Sequence, residues 1–240
     1  MGAFLFVCWS AWAGASNPSE ALVAKVSDGD SLVLADGRAV RLIGINAPEL
    51  GKDGAPDEPL ARAARAELER LVAGKRVRLA LDEEHRDRYG RWLAHITLPD
   101  GAGVAERLLE QGLACVIAVS PNLLNLTRYL DIEASARRAK RGLWGDAYFA
   151  ARAADALQPH ETGFRFVRGR VQRVGESRSY IYLDLGANMS VTIAHADWQR
   201  YFNGQPGVYL HQTIEVRGWV TEQNGALRIR VHHPAMLTRL

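Results

Sequence analysis

The chain has 240 residues, enough for one large domain or two small ones. Hydrophobic residues make up 48% and charged residues 24%, which excludes an intrinsically disordered or fibrous chain. The net charge is +3, a mild basicity that permits a polyanionic partner without requiring one. Of the 30 basic residues only Lys25, Lys52, Lys75 and Lys140 are lysines. The arginine side chain offers a planar fork suited to phosphate, although a GC-rich coding bias gives the same excess.

The chain opens on an apolar stretch, Ala3–Ala13, shorter than the roughly 20 residues that span a bilayer. The small-residue run Ala11-Trp12-Ala13-Gly14-Ala15 follows it. Residues 1–19 therefore read as an export signal, placing the protein in the periplasm or outside the cell with no stable membrane span. No Lys or Arg precedes the apolar stretch, so a retained short anchor is an alternative. Removing the signal takes Cys8 with it and leaves Cys115 in the apolar run Leu113–Ile117, where a core role without a disulfide is expected.

Strands are expected over Leu22–Val26 and Ser31–Leu34, with Asp28-Gly29-Asp30 between them. Asp36-Gly37 reads as a two-residue hairpin turn, returning through Ala39–Ile45. After a Gly/Pro/Asp-rich loop from Gly51 to Pro59, Leu60, Ala64, Leu68 and Leu71 recur at helical spacing, and Gly74 stops the helix. Two strands, Val77–Leu81 and Trp92–Ile96, flank the charged loop Asp82–Arg91. Helices follow over Val104–Gln111 and Leu126–Lys140. Five short strands capped by three helices fit a small closed barrel better than a parallel sheet.

Four segments of this region hold polar residues that a purely structural barrel has no need of: Asp28-Gly29-Asp30-Ser31, Arg41, Asn46-Ala47-Pro48-Glu49, and Asp87-Arg88-Tyr89-Gly90-Arg91. Each alone is weak, since DGD is a common turn and a single strand arginine is usually a solvated face. In this order and between these strands they resemble the thermonuclease (staphylococcal nuclease-like) family. The resemblance runs from about Val23 to the closing Arg141-Gly142-Leu143-Trp144.

The resemblance implies an OB-fold barrel that hydrolyses phosphodiesters of DNA and RNA with Ca2+. Glu49 would be the general base, and Arg41 and Arg91 would grip the phosphate through paired N–H groups. Tyr89 and Arg88 would contact the substrate. Asp30, Asn46 and the backbone carbonyl of Ala47 would supply oxygen ligands to the metal. The family usually carries aspartate where this chain has Asn46, which removes one negative charge and implies weaker calcium binding.

Residues 148–163 read as a linker, separating a nuclease-like unit at 20–147 from a second unit at 164–240. Five strands are expected there: Phe164–Val174, Ser179–Leu185, Met189–Ala194, Thr213–Thr221 and Ala226–Val231, the last two joined by an Asn224-Gly225 turn. This unit carries ten arginines and no lysine, with Tyr180, Tyr182 and Trp219 nearby in sequence. A basic, aromatic sheet face is what an OB-type barrel uses to hold single-stranded nucleic acid; a solvated face on a stabilising module is the plainer reading. The expected whole is mainly β with α: an N-terminal OB-fold barrel with three helices, and a second small all-β OB-like barrel. The expected function is an exported calcium-dependent nuclease. A non-catalytic nucleic-acid-binding protein, or an enzyme docked to a partner complex through its second barrel, are the alternatives.

Overall fold

One bent strand determines the first half of the architecture. In Ser19–Asp28 (β1), Ala21, Val23 and Val26 are buried while most neighbouring residues face outward. The register slips between Val23 and Lys25, and the strand changes partner near that slip. Its first half pairs with Arg76–Ala80 (β5) and its second half with Ser31–Leu34 (β2). A bulge that increases local twist lets one strand serve both ends of a sheet. With Ala39–Leu42 (β3), Ile45–Asn46 (β4) and Trp92–Thr97 (β6) in place, the barrel closes in the order β1-β2-β3-β6-β5, β3 and β6 running parallel. The computed structural model describes residues 19–51, 54–186 and 188–240. The export segment expected at the N-terminus lies outside these residues except for Ser19, which opens β1 and pairs with Leu79.

The turn between β2 and β3 departs from expectation. A two-residue turn of the favoured hairpin type needs positive φ at both central residues, and here only Gly37 takes one, at 87°. The loop is three residues long, closed by Leu34 and Arg38, and the Asp36 carboxylate accepts from Arg38 N at 3.1 Å. Asn224 and Gly225 do both take positive φ, 53° and 77°, so their turn has the expected two-residue form. 

Helix Ala61–Val72 (α1) buries Ala61, Ala64, Leu68, Leu71 and Val72, the stripe its sequence spacing predicts. It packs on β1, and the small Ala64 lets the turn after β1 come close: a Cβ on Gly29 would lie 2.7 Å from the Cβ atoms of both Ala64 and Ala47. Helices Val104–Glu110 (α2) and Leu126–Arg138 (α3) cover the barrel, and Cys115–Val116 (β7) pairs with β4, setting Asn46 opposite Cys115. Cys115 is buried as expected, and burial raises its thiol pKa.

The stretch after the barrel is tied down along its length. Arg152–Ala153 (β8) pairs with Gly163–Arg170 (β9), and Ala154 and Leu157 are buried in the second core. That core is formed with Arg173–Glu176 (β10), Tyr180–Gly186 (β11), Met189–Ala194 (β12), Thr213–Gln223 (β13), Ala226–Val231 (β14) and Leu237–Arg239 (β15). The sequence reading missed β15 and the short helix His195–Tyr201 (α4).

The ladder runs β10-β11-β12-β14-β13-β9-β8, with β12 and β14 parallel. Only Val171 and Gln172 separate β9 from β10; Val171 N donates to Gln212 O and Gln172 N to Asp184 O. β9 and β10 thus follow one another across a two-residue bend at the two sides of the curled sheet.

The two units meet across a seam of buried charge. Glu133 of α3, 3% exposed, accepts from Arg217 of β13 and from Val116 N. Arg137 of α3 and Arg168 of β9 both bond Glu215 of β13. Trp144 meets Phe166 edge to face at 5.5 Å. Removing one partner of a buried pair costs about 3–5 kcal/mol, because the other charge is stranded.

Candidate active site

The turn after β1 carries the first acidic group. Asp30 is buried, 4% exposed, and its carboxylate accepts from Ser31 Oγ at 2.9 Å and from Ala47 N at 2.9 Å. Arg41 lies one strand away, opposite Ser31 in the β2–β3 ladder, and its Nη1 forms an ion pair with Asp30 at 2.9 Å. Its Nη2 donates to Asn46 Oδ1 at 3.1 Å. Asp30 and Asn46 thus turn oxygens onto one cationic group. Gly44, at φ 81°, makes the bend between β3 and β4 possible, and a Cβ there would meet the Tyr129 ring at 2.9 Å.

Glu49 follows buried Pro48 and is exposed. Its backbone is held from both sides by Glu58: Glu49 N donates to Glu58 Oε2 at 2.9 Å, and Glu58 N donates to Glu49 O at 3.0 Å. Glu58 in turn accepts from Tyr148 Oη at 3.1 Å and from Arg165 of β9 at 3.4 Å. The second unit therefore reaches the Glu49 loop through one carboxylate.

Arg91 is placed by Asp87, whose role the sequence reading did not assign. The Asp87 carboxylate accepts from Arg91 Nε at 2.7 Å, Arg91 N at 3.0 Å and Tyr89 N at 2.9 Å. Burial pushes the Asp87 carboxyl up, but Arg91 and these backbone donors outweigh it and hold it below the ordinary range. Gly90 at φ 79° closes the turn, and Arg91 Nη1 donates to Ser31 Oγ at 3.3 Å. Tyr89 is 69% exposed, with Arg88 over its ring at 4.8 Å.

A cleft of about 590 Å³ is lined by Asp30, Arg41, Glu49, Arg88, Tyr89 and Arg91, together with Ser27, Asp28 and Trp219. Six of the eight expected site residues share that lining. Asn46 and Ala47 do not; they are bonded to two residues that do, Arg41 and Asp30. Asp28 and Trp219 are additions that the sequence reading left without a role in the site. Among the described residues no group of three or more His, Cys, Asp or Glu side chains could hold a metal.

The family model for the staphylococcal nuclease homologue matches residues 39–146. A thermonuclease of Staphylococcus hyicus is 32% identical over 139 residues, covering 56% of this chain and 82% of the relative. The chain belongs to the thermonuclease (staphylococcal nuclease-like) family. A thermonuclease of Staphylococcus intermedius is 38% identical over 104 residues, 42% of this chain and 61% of that protein. An uncharacterized endonuclease of Escherichia coli O157:H7 is 36% identical over 129 residues, 52% of this chain and 76% of that protein. The second unit lies beyond the matched segment.

Four of the ten arginines of that second unit are paired with carboxylates. Arg165, Arg168 and Arg217 are committed to Glu58, Glu215 and Glu133, and Arg173 to Asp184. Arg230 sits over Tyr180 at 5.2 Å.

Proposed function

We propose that the protein is an exported calcium-dependent nuclease that hydrolyses phosphodiester bonds of DNA and RNA. One observation carries the reading: a carboxylate at Glu49 and the guanidinium groups of Arg41 and Arg91 line a single cleft. A phosphodiester is an anion, so its hydrolysis needs a base for the attacking water and fixed positive charge where charge develops on the phosphoryl oxygens. Glu49 takes the proton as the water oxygen bonds to phosphorus. Arg41 and Arg91 donate to the non-bridging oxygens, which arginine does bidentately. The P–O bond to the leaving sugar breaks, and that oxygen takes a proton from solvent. By family resemblance the 5′ oxygen leaves and the product keeps a 3′-phosphate. Tyr89 and Arg88 hold the flanking nucleotide.

The donor set is compatible with calcium, a hard cation that takes oxygen ligands in flexible geometry. Asp30 and Asn46 already direct oxygens at one cation, the Arg41 guanidinium. They, with the Ala47 carbonyl, would hold the ion, which when bound supplies Lewis-acid polarisation of the phosphate. Export rests on the apolar N-terminal segment alone; among the described residues no helix is long and apolar enough to cross a membrane.

The test is digestion of single-stranded DNA with calcium and with chelator. Cleavage with calcium that chelator abolishes is expected. Equal cleavage under chelator removes the metal from the account. Binding without cleavage in either condition replaces the nuclease with a nucleic-acid-binding protein.

A further inference from the structure

We propose that Trp219, on β13 of the second barrel, completes the substrate cleft of the first by stacking on a nucleobase beside the scissile phosphate. The proposal rests on the nuclease reading above and names a contact that the first barrel cannot supply.

The other residues lining the cleft all come from the first barrel, between Ser27 and Arg91. Trp219 is 43% exposed although it is among the largest apolar side chains. The exposed large hydrophobic residues of the described chain include just two that line the cleft, Tyr89 and Trp219. The cleft thus carries one accessible aromatic ring from each barrel, with Arg41, Arg88 and Arg91 on its lining. Backbone-tracking cations combined with aromatic rings are how proteins hold single-stranded nucleic acid, since every base has a stackable face.

Trp219 is also held in place. It pairs across the ladder with Phe164, whose ring meets it edge to face at 5.2 Å and 77°. The strand beneath is anchored two residues earlier by the Arg217–Glu133 pair. A platform fixed before binding loses little conformational freedom when the base arrives. The cleft volume, about 590 Å³, lies within the roughly 300–1,000 Å³ usual for ligand sites.

The experiment uses the full chain, wild type and the variants Trp219→Ala and Trp219→Tyr. Two substrates are compared: a single-stranded DNA 10-mer, and methyl nitrophenyl phosphate, a phosphodiester that carries no nucleobase. Stacking on one base is worth about 5- to 150-fold in affinity. In Trp219→Ala, KM for the 10-mer is expected to rise about tenfold with kcat nearly unchanged, kcat/KM for the small ester to stay within about twofold, and Trp219→Tyr to recover most of the loss. An unchanged KM for the 10-mer overturns the proposal. So does an equal loss on both substrates, or a Trp219→Tyr variant as weak as Trp219→Ala, since these mark a merely structural tryptophan. Binding of the fluorescently labelled 10-mer is read by anisotropy in the same samples. If the wild type proves unable to cleave, the nuclease reading fails on its own, and a tenfold or null change in Kd still decides the role of Trp219.

Discussion

The two barrels share a strand order and differ in what they do with charge. In the first, β3 runs parallel to β6 within a closed five-stranded ring. In the second, β12 runs parallel to β14 within a curled sheet that runs from β10 to β8. The first directs Asp30, Arg41, Glu49 and Arg91 into one cleft. The second commits Arg165, Arg168 and Arg217 to carboxylates at or near the seam. Topology is therefore not the source of the chemistry; it lies in the turn after β1, the segment after β4 and the Asp87–Arg91 loop. The ion pairs of the second barrel set where it sits, and that placement carries Trp219 and the Arg165–Glu58 contact to the cleft.

The largest expected effect lies in the first barrel. Glu49→Gln keeps the size of the side chain and removes the base, so the cleavage rate at saturating DNA should fall by about 10²- to 10⁴-fold with an unchanged melting temperature. Next is the seam: Glu133→Ala strands the buried Arg217 charge and should cost about 3–5 kcal/mol in urea unfolding. A loss below 1 kcal/mol would mean that the seam is not what fixes the second barrel. Asn46→Asp adds a negative charge beside Asp30 and should tighten calcium about tenfold, read as the metal concentration giving half-maximal cleavage. If the calcium requirement does not move, Asn46 is not a ligand.

The smallest effect is on pH. Burial raises the Glu215 carboxyl, but Arg137 and Arg168 outweigh it, so its pKa lies below the ordinary 4.5. A depressed carboxylate stabilises the fold above its unfolded pKa and loses that stabilisation as pH falls through the folded value. Wild type should therefore lose more stability than Glu215→Gln as pH falls from about 6 through the carboxylate range in thermal melts.

Much of this was legible in the sequence because it is local. The stripe Ala64, Leu68, Leu71 fixes a helix face, and the order of the Asp28–Ser31, Arg41, Asn46–Glu49 and Asp87–Arg91 segments marks the site. The Asp36-Gly37 turn was misread because a dipeptide signal does not say whether one or two residues take positive φ. Asp87 was overlooked as an organiser because its partners are mostly backbone N–H groups of its own turn. The sequence set Trp219 among the aromatics of a basic face of the second unit rather than in the cleft. Glu58 and Glu133 were not readable at all. Their roles arise from contacts between residues as far apart as 84 and 107 positions, and no local pattern encodes such pairings.

The division of labour between the barrels is tested most directly by removing equal charge from each. Cleavage of single-stranded DNA at saturating substrate should be compared between Arg41→Ala/Arg91→Ala and Arg228→Ala/Arg230→Ala. The first pair should lose at least about 10²- to 10³-fold in rate, the cost of removing donors to developing negative charge, while the second pair stays within about twofold. Equal losses from both pairs would contradict the account, because the chemistry would then not belong to the first barrel.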